Sequence, residues 1–391
     1  MKKKVLFVVH HLTIGGAQKS LITALHYFDY DNYDVTLYVR KNRTALLKYI
    51  DERANVIINE DKTHYYRKPR AIILQLLIKL SGLLGRSEKR SVYEKKLSDF
   101  ILTEPMKYEK KRYFGDREYD IAIAFMHGSS ALFVADYVKA KKKIIRYCVS
   151  TDELHEIHER IFNDIDSIIC VSDGVGEAVS AFYPEHRNKI HVIENIVNRQ
   201  YVLQSGEEYR VDKSDSQYTI CSVGRFSKVK GMDFAVDAAK ILKDNGISFR
   251  WFLLGDGPEM GSLKEKVRIN GLSEEVFFTG MTDNPYPYFK ACDIFVLPSR
   301  EEALANSLLE AYAMGKPVVC TETVCGINNV VDGETGILTE ISGKGIADGI
   351  MKLINNPELC KKISDNLKKT DYEAEKEKYK EQWRELLEAM I

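Results

Sequence analysis

The sequence contains no run of about 18 apolar residues, so no segment is read as crossing a bilayer. It carries no excess of either charge, with 57 Lys plus Arg against 57 Asp plus Glu and a formal net charge of zero. A chain without a field of one sign has no general attraction to nucleic acid, so none is expected as a partner, and an anionic ligand must be met by local groups. Signatures of metal and redox chemistry are missing as well. The seven cysteines (Cys148, Cys170, Cys221, Cys292, Cys320, Cys325 and Cys360) are scattered, mostly in apolar runs, with no C-x-x-C pair and no histidine at zinc spacing. They read as buried thiols of a reducing compartment, which points to the cytoplasm and to no metal site. The basic residues 1–4 lead into an apolar run over 5–10, too short for the core of a secretory signal.

What the chain does have is length and alternation. At 391 residues and 45% hydrophobic content it can bury two ordinary cores, since single cores stop growing at about 250–300 residues. Short runs rich in Val and Ile alternate with amphipathic segments, the pattern of a parallel sheet covered by helices. Strands are expected over 5–9, 35–39, 56–58, 121–125, 143–147, 167–171 and 189–193, followed by a polar linker over 198–217. A second series covers 218–223, 249–254, 276–279, 294–297 and 317–320, each with a helix-like segment after it. The expectation is an α/β protein of two tandem Rossmann-like, doubly wound domains over 1–197 and 218–371. A helix over 372–391, with Trp383, Leu386 and Leu387 on one face, is expected to cross back to the N-terminal domain. Ligands of such sheets lie at the carboxyl ends of the strands, so two facing domains enclose a cleft.

Residues 62–113 break this rhythm. The apolar piece 71–84 is flanked by Arg67, Lys68 and Arg70 on one side and by Arg86, Lys89 and Arg90 on the other. Two readings stand side by side: a basic, apolar helix lying on an anionic membrane surface, or a helix packed on the N-terminal sheet with a solvated basic rim.

Three stretches carry candidate chemistry. In PSREEALANSLLEAYAMGKPVV, Glu302 and Glu310 are eight residues apart. A helix beginning near Asn306 leaves Glu302 on the loop at a strand end and Glu310 one turn inside, so one carboxylate can face a sugar and the other a ribose diol. Between them the backbone N–H groups of Leu304, Ala305, Asn306, Ser307 and Leu308 form an anion-binding helix start. In VGRFSKVKG, Arg225 and Lys230 flank a turn after a strand, where two cations can meet a diphosphate. Departure of a nucleoside diphosphate builds negative charge, which fixed cations must stabilise if no metal does. Gly15 and Gly16 follow the first strand and allow close approach of a phosphate or sugar. The third glycine of a dinucleotide fingerprint and the Lys-Ser/Thr of a P-loop are both missing there, which counts against NAD and ATP. Each of these features alone has an ordinary structural explanation: a chance pair of acids, two exposed basic residues, a tight turn.

Their combination resembles the retaining glycosyltransferases of the GT-B type classed as family 4, which include bacterial enzymes of envelope polysaccharide synthesis. The resemblance runs through GGAQKSLITAL, CVSDGV (170–175), VIENIVN (192–198), SVGRFSKVKGMD (222–233), LLGDGPEMGSLKE (253–265), VFFTGMTDNPYPYFKACDIFVLPSR (276–300) and the Glu302 to Glu310 segment. Only residues 62–113 fall outside it. It implies that Arg225 and Lys230 clamp the diphosphate, that Glu310 holds the ribose and Glu302 the donor sugar, and that backbone around Gly280 and Met281 meets the base. His127, after the fourth expected strand, takes the place of a histidine facing donor sugar and acceptor. Asp152 is carried over as an acceptor-side residue, although Ser150 stands where relatives often have His. Ala303 and Leu304 replace the usual Gly-Phe, which alters the sugar contacts. His155, His158, Glu156 and Glu159 read as a solvated helix face, and Asp164 and Asp166 are not taken as metal ligands.

The implied reaction moves a hexosyl or N-acetylhexosaminyl group from a nucleoside diphosphate sugar, UDP-linked, to a saccharide or lipid-linked glycan, with retention and with no cofactor. A phosphate oxygen of the leaving group then takes the acceptor proton, which fits the lack of an evident general base. The alternatives are a GT-B sugar-nucleotide 2-epimerase and a non-catalytic sugar-nucleotide-binding scaffold.

Overall fold

A computed structural model describes residues 2–61, 68–83, 87–147, 156–212, 217–302 and 304–390, with side chains at all of these except 82, 83, 87–90 and 156–159. Asp152, Ala303, Ser150, His155, Arg67, Arg86 and Cys148 therefore lie outside the described residues.

Two parallel sheets form the frame. The first contains β1 (Lys3–Val9), β2 (Tyr33–Val39), β3 (Asn55–Ile58), β4 (Tyr119–Ala124), β5 (Ala140–Tyr147), β6 (Ser167–Cys170) and β7 (Ile190–Val192). They are ordered β3-β2-β1-β4-β5-β6-β7. The second contains β8 (Tyr218–Val223), β9 (Phe249–Leu254), β10 (Val276–Gly280), β11 (Ile294–Leu297), β12 (Val318–Thr321) and β13 (Gly336–Thr339), ordered β10-β9-β8-β11-β12-β13. Central strands such as β1, buried from Val5 through Val9, read as unbroken apolar runs because helices cover both faces. The doubly wound expectation holds, with strand ends moved by three residues at most. The unexpected strand is β13, four residues long, which pairs with β12 at the sheet edge.

Both sheets reverse their winding at one point, between β1 and β4 in the first and between β8 and β11 in the second. Loops leaving neighbouring strands diverge there and open a crevice. The Gly15-Gly16 turn follows β1 and His127 follows β4, while the Arg225 to Lys230 turn follows β8 and Glu302 follows β11. The candidate residues thus sit at the two switch points.

The last helix, Tyr372–Ala389, buries Tyr379, Trp383, Leu386 and Leu387 in the core of the first sheet, where Trp383 lies 6.4 Å from Phe7 and 6.3 Å from Phe28. The insertion after β3 forms helices Pro69–Leu83 and Ser87–Glu109, which pack on one another. Met106 and Phe100 are buried, and Glu109 makes a forked pair with Arg40 at the end of β2, 2.8 and 3.0 Å, while Tyr38 donates to it at 3.2 Å. In helix Pro69–Leu83, Ala71, Leu74 and Ser81 face inward. Ile72, Ile73, Leu76 and Leu80 lie outward, 44–57% exposed, at the i, i+1, i+4, i+8 spacing of one helix face.

Candidate active site

The turn after β8 is shaped by Gly231, at φ +61°, where a Cβ would fall 1.9 Å from the Pro298 carbonyl oxygen. Only glycine lets the turn approach β11 so closely. Arg300 braces the same turn: its guanidinium forks the Asp233 carboxylate at 2.6 and 2.7 Å and donates to the Lys228 carbonyl at 2.9 Å. Lys230 is thereby set beside the loop after β11, and its ammonium forms an ion pair with Glu302. Arg225, on the same turn, is exposed at the cleft.

The loop from Ser299 to Ala305 is held from beneath. Thr321 donates to the Ser299 carbonyl at 2.6 Å, the Cys325 N–H donates to the Glu302 carbonyl at 2.9 Å, and the Ala305 N–H points to Cys325 Sγ at 3.3 Å. Burial, with Glu302 nearby, pushes the Cys325 thiol up to about 12, so it is an inert structural thiol. Helix Asn306–Ala313 then begins. The Leu308 N–H closes onto the Ala305 carbonyl at 3.0 Å, and the Leu308 side chain is fully buried in the core. The N–H groups the helix leaves for an anion narrow to those of Asn306 and Ser307. Leu304 packs across the cleft against the N-terminal core.

A cleft of about 670 Å³ lies between the two domains. Of the residues singled out by sequence, Gly15, Gly16, Arg225, Lys230, Glu302 and Glu310 line it. So do Met281 and the helix start at Leu304, Ala305, Asn306 and Ser307. Gly280 stands just behind, at φ +75°, with its carbonyl accepting from the Gly255 N–H at 2.9 Å. His127 is not among the lining residues; its ring lies 5.7 Å from that of Tyr147 at the end of β4. Asp166 is engaged by Lys142 at 3.0 Å and by the Lys143 N–H at 2.9 Å. Cys360, placed among the buried thiols, is half-buried, whereas the other described cysteines are buried.

The structure adds residues that the sequence reading passed over. His11, after β1, lines the cleft, its Nδ1 2.8 Å from Thr13 Oγ1. Burial, with Arg43 adding to it, lowers its pKa. Its neighbour His10 is held down at about 4 by burial and then by Arg40, and contacts Ser129 Oγ at 3.0 Å. Arg146, at the inner end of β5, is buried beneath the cleft, stacks 4.7 Å above Phe125 and bonds Asn195. Asn195 in turn donates to Asn306 at 2.8 Å. Asn306 donates to the Gly16 carbonyl at 2.6 Å and to Ser20 Oγ at 3.0 Å, so helix start and glycine turn are fastened across the domains. A Cβ on Gly16 would sit 3.1 Å from the Asn306 amide nitrogen. Glu310 is buried, with Lys19 Nζ at 2.7 Å and Tyr286 OH at 3.0 Å. Arg146 stands near the end of a strand that also carries three lysines, so its charge did not stand out, and Asn195 lay inside VIENIVN without being singled out itself.

Comparison with known proteins places this geometry. A family profile described as Glycosyl transferases group 1 matches residues 207–370. The lipopolysaccharide core biosynthesis glycosyltransferase LpsE of Rhizobium meliloti is 31% identical over 205 residues, covering 52% of this chain and 58% of that protein. The chain thus spans under two thirds of the length of that relative. Among solved structures, Anabaena Alr3699/HepE in complex with UDP-glucose aligns with a TM-score of 0.68 at 17% identity, covering 98% of this chain and all of that one. Sucrose-phosphate synthase from Thermosynechococcus elongatus aligns with a TM-score of 0.70 at 17% identity, over 99% of this chain and 100% of that one. At such identity the structures speak for the fold. With two Rossmann-like domains facing one cleft, the protein has the GT-B fold, and its C-terminal domain is similar over residues 207–370 to the glycosyl transferases group 1.

Proposed function

We propose that the protein is a retaining glycosyltransferase that moves a hexosyl or N-acetylhexosaminyl group from a nucleoside diphosphate sugar, UDP-linked, to a saccharide or lipid-linked glycan of a bacterial surface polysaccharide. The observation that carries this reading is the convergence of Arg225, Lys230, Glu302, Glu310 and the helix start at Asn306 on one interdomain cleft. In the reaction the bond from C1 to the phosphate oxygen breaks, the acceptor oxygen bonds C1 on the same face, and the acceptor proton passes to the departing phosphate. Arg225 and Lys230 stabilise the charge that develops there. The test is a panel of UDP-, GDP-, ADP- and dTDP-sugars with saccharide acceptors, following nucleoside diphosphate release and the anomer formed. Release of an epimerised sugar nucleotide without acceptor, or an inverted linkage, would overturn it.

The two glutamates differ in role. Glu310→Ala is expected to weaken UDP and UDP-sugar alike, about tenfold or more, because a ribose contact is common to both. Glu302→Ala is expected to spare UDP, since it releases Lys230 from its carboxylate partner, while donor turnover falls. Equal loss of UDP affinity in the two variants, by calorimetry, would remove this division.

The acceptor is proposed to reside at an anionic membrane surface. Among the described residues no helix is long and apolar enough to cross a membrane. Supporting a peripheral contact is the outward row Ile72, Ile73, Leu76 and Leu80, with Lys79 exposed on the same side, Lys68 just before the helix and Arg70 in its first turn. Apolar burial and attraction of about 1 kcal/mol per basic residue near the surface combine in such contacts. Co-sedimentation with vesicles containing acidic phospholipid is expected to be strong and salt-sensitive. It should be lost in Ile73→Ser/Leu76→Ser/Leu80→Ser and weakened when Lys68, Arg70 and Lys79 are neutralised. Binding unchanged in both would place the contact elsewhere, and no binding at all would return the helix to a solvated role.

A further inference from the structure

We propose that Lys19, a residue of the N-terminal domain, is a positioning residue of the nucleotide site, neutralising and orienting Glu310 from across the cleft. The inference rests on the reading of Glu310 as the ribose ligand and goes beyond it by giving part of the nucleotide's affinity to the opposite domain.

Lys19 lies in the first turn of helix Gly16–His26, directly after the glycine turn. Its ammonium is 2.7 Å from Glu310 Oε1 and 4.7 Å above the ring of Tyr286, whose hydroxyl donates to the same oxygen at 3.0 Å. Burial and the adjacent carboxylate push the Tyr286 phenol well up, so it remains a donor. The Glu310 side chain is only 4% exposed and that of Lys19 19%. A carboxylate this buried needs a partner, and an isolated one would also repel a diphosphate entering the same cleft. Lys19 removes that repulsion.

Geometry adds a second role. Both donors converge on Oε1, which anchors that oxygen and leaves Oε2 for a ligand hydroxyl. The pair also sits on the wall between two spaces, lining both the main cleft and a second interdomain cavity of about 390 Å³ beside Tyr49 and Tyr201. An ion pair that served only to join the domains has no reason to stand on a ligand-facing wall. The arrangement holds only while the domains keep their present register, which the bonds of Asn306 to Gly16 and Ser20 maintain. Nucleotide affinity is therefore coupled to domain orientation through Lys19.

The test is calorimetric titration of the full chain with UDP, and with GDP, ADP and dTDP in parallel, for the parent, Lys19→Met, Lys19→Arg, Glu310→Gln and the double variant Lys19→Met/Glu310→Gln. Thermal melting of each variant checks the fold. Lys19→Met is expected to weaken the bound nucleotide about 10- to 100-fold, the range of a hydrogen bond to a charged group, with Lys19→Arg recovering most of the loss. The double variant should bind no more weakly than its weaker parent, because both changes break one unit. In turnover, the donor KM should rise more than kcat falls. Lys19→Met binding as tightly as the parent, or more tightly, would overturn the proposal, as would strict additivity in the double variant. Unchanged affinity in Glu310→Gln would instead sink the ribose role itself, and failure of all four nucleotides to bind would sink both.

Discussion

Replacing Lys230 with alanine is expected to lower kcat by about two to three powers of ten, the usual cost of removing one fixed group that stabilises developing charge. Two effects add in the same direction. In the proposed reaction the departing diphosphate loses a cation where negative charge accumulates, and Glu302 loses its ion-pair partner and stands as an uncompensated carboxylate beside that charge. Arg225→Ala is expected to cost less, because Arg225 is exposed and pairs with neither glutamate in the structure. Lys230→Arg should recover only part of the loss, since a planar guanidinium does not reproduce the point charge that the ammonium places beside Glu302. Steady-state kinetics at saturating donor decides the matter. A variant with unchanged kcat and only a raised KM would assign Lys230 to ground-state binding instead.

The second large effect concerns stability. A chain ended at Asp371 is expected to lose the fold of its N-terminal domain, and Trp383→Ala alone should cost about 3–5 kcal/mol, as for other buried large-to-small changes. Trp383 is nearly fully buried among Phe7, Phe28 and Tyr379, on a sheet whose covering helix comes from the far end of the sequence. Denaturant unfolding, with near-ultraviolet circular dichroism reporting on the whole chain and Trp251 fluorescence on the second domain alone, measures this directly. A truncated chain that unfolds at the parent's midpoint would show that the helix is dispensable cover.

These expectations draw on features of unequal visibility. The strand series was legible because buried strands show as short apolar runs set off by polar segments, and β8, β9 and β11 match their expected bounds to the residue. Glu302, Glu310, Arg225 and Lys230 were legible because they follow strands in motifs of fixed spacing. β13 was not: its four residues, Gly-Ile-Leu-Thr, are too few for a periodicity and follow a polar turn. The helical pair over 69–109 was half legible. Its first helix stood out as an apolar run, whereas the second, with Pro105 inside it and a mixed charged surface, did not. Least visible were Lys19, Tyr286, Arg146 and Asn195. Their roles arise from pairings across dozens to hundreds of residues, such as Lys19 with Glu310, and no local pattern encodes such a partner.

The return of helix Tyr372–Ala389 to the first sheet also sets an order of events during synthesis. A ribosome finishes the last strand of that sheet, β7, at Val192, but one apolar face of it waits for Trp383 and Leu387. At about 5–20 residues per second the wait is on the order of ten to forty seconds, during which the whole second domain is made and can fold first. The N-terminal half, earliest to emerge, is therefore the last to be sealed. Its open face is a target for holding chaperones in that interval, and a late nonsense mutation would injure the half of the protein encoded farthest from it.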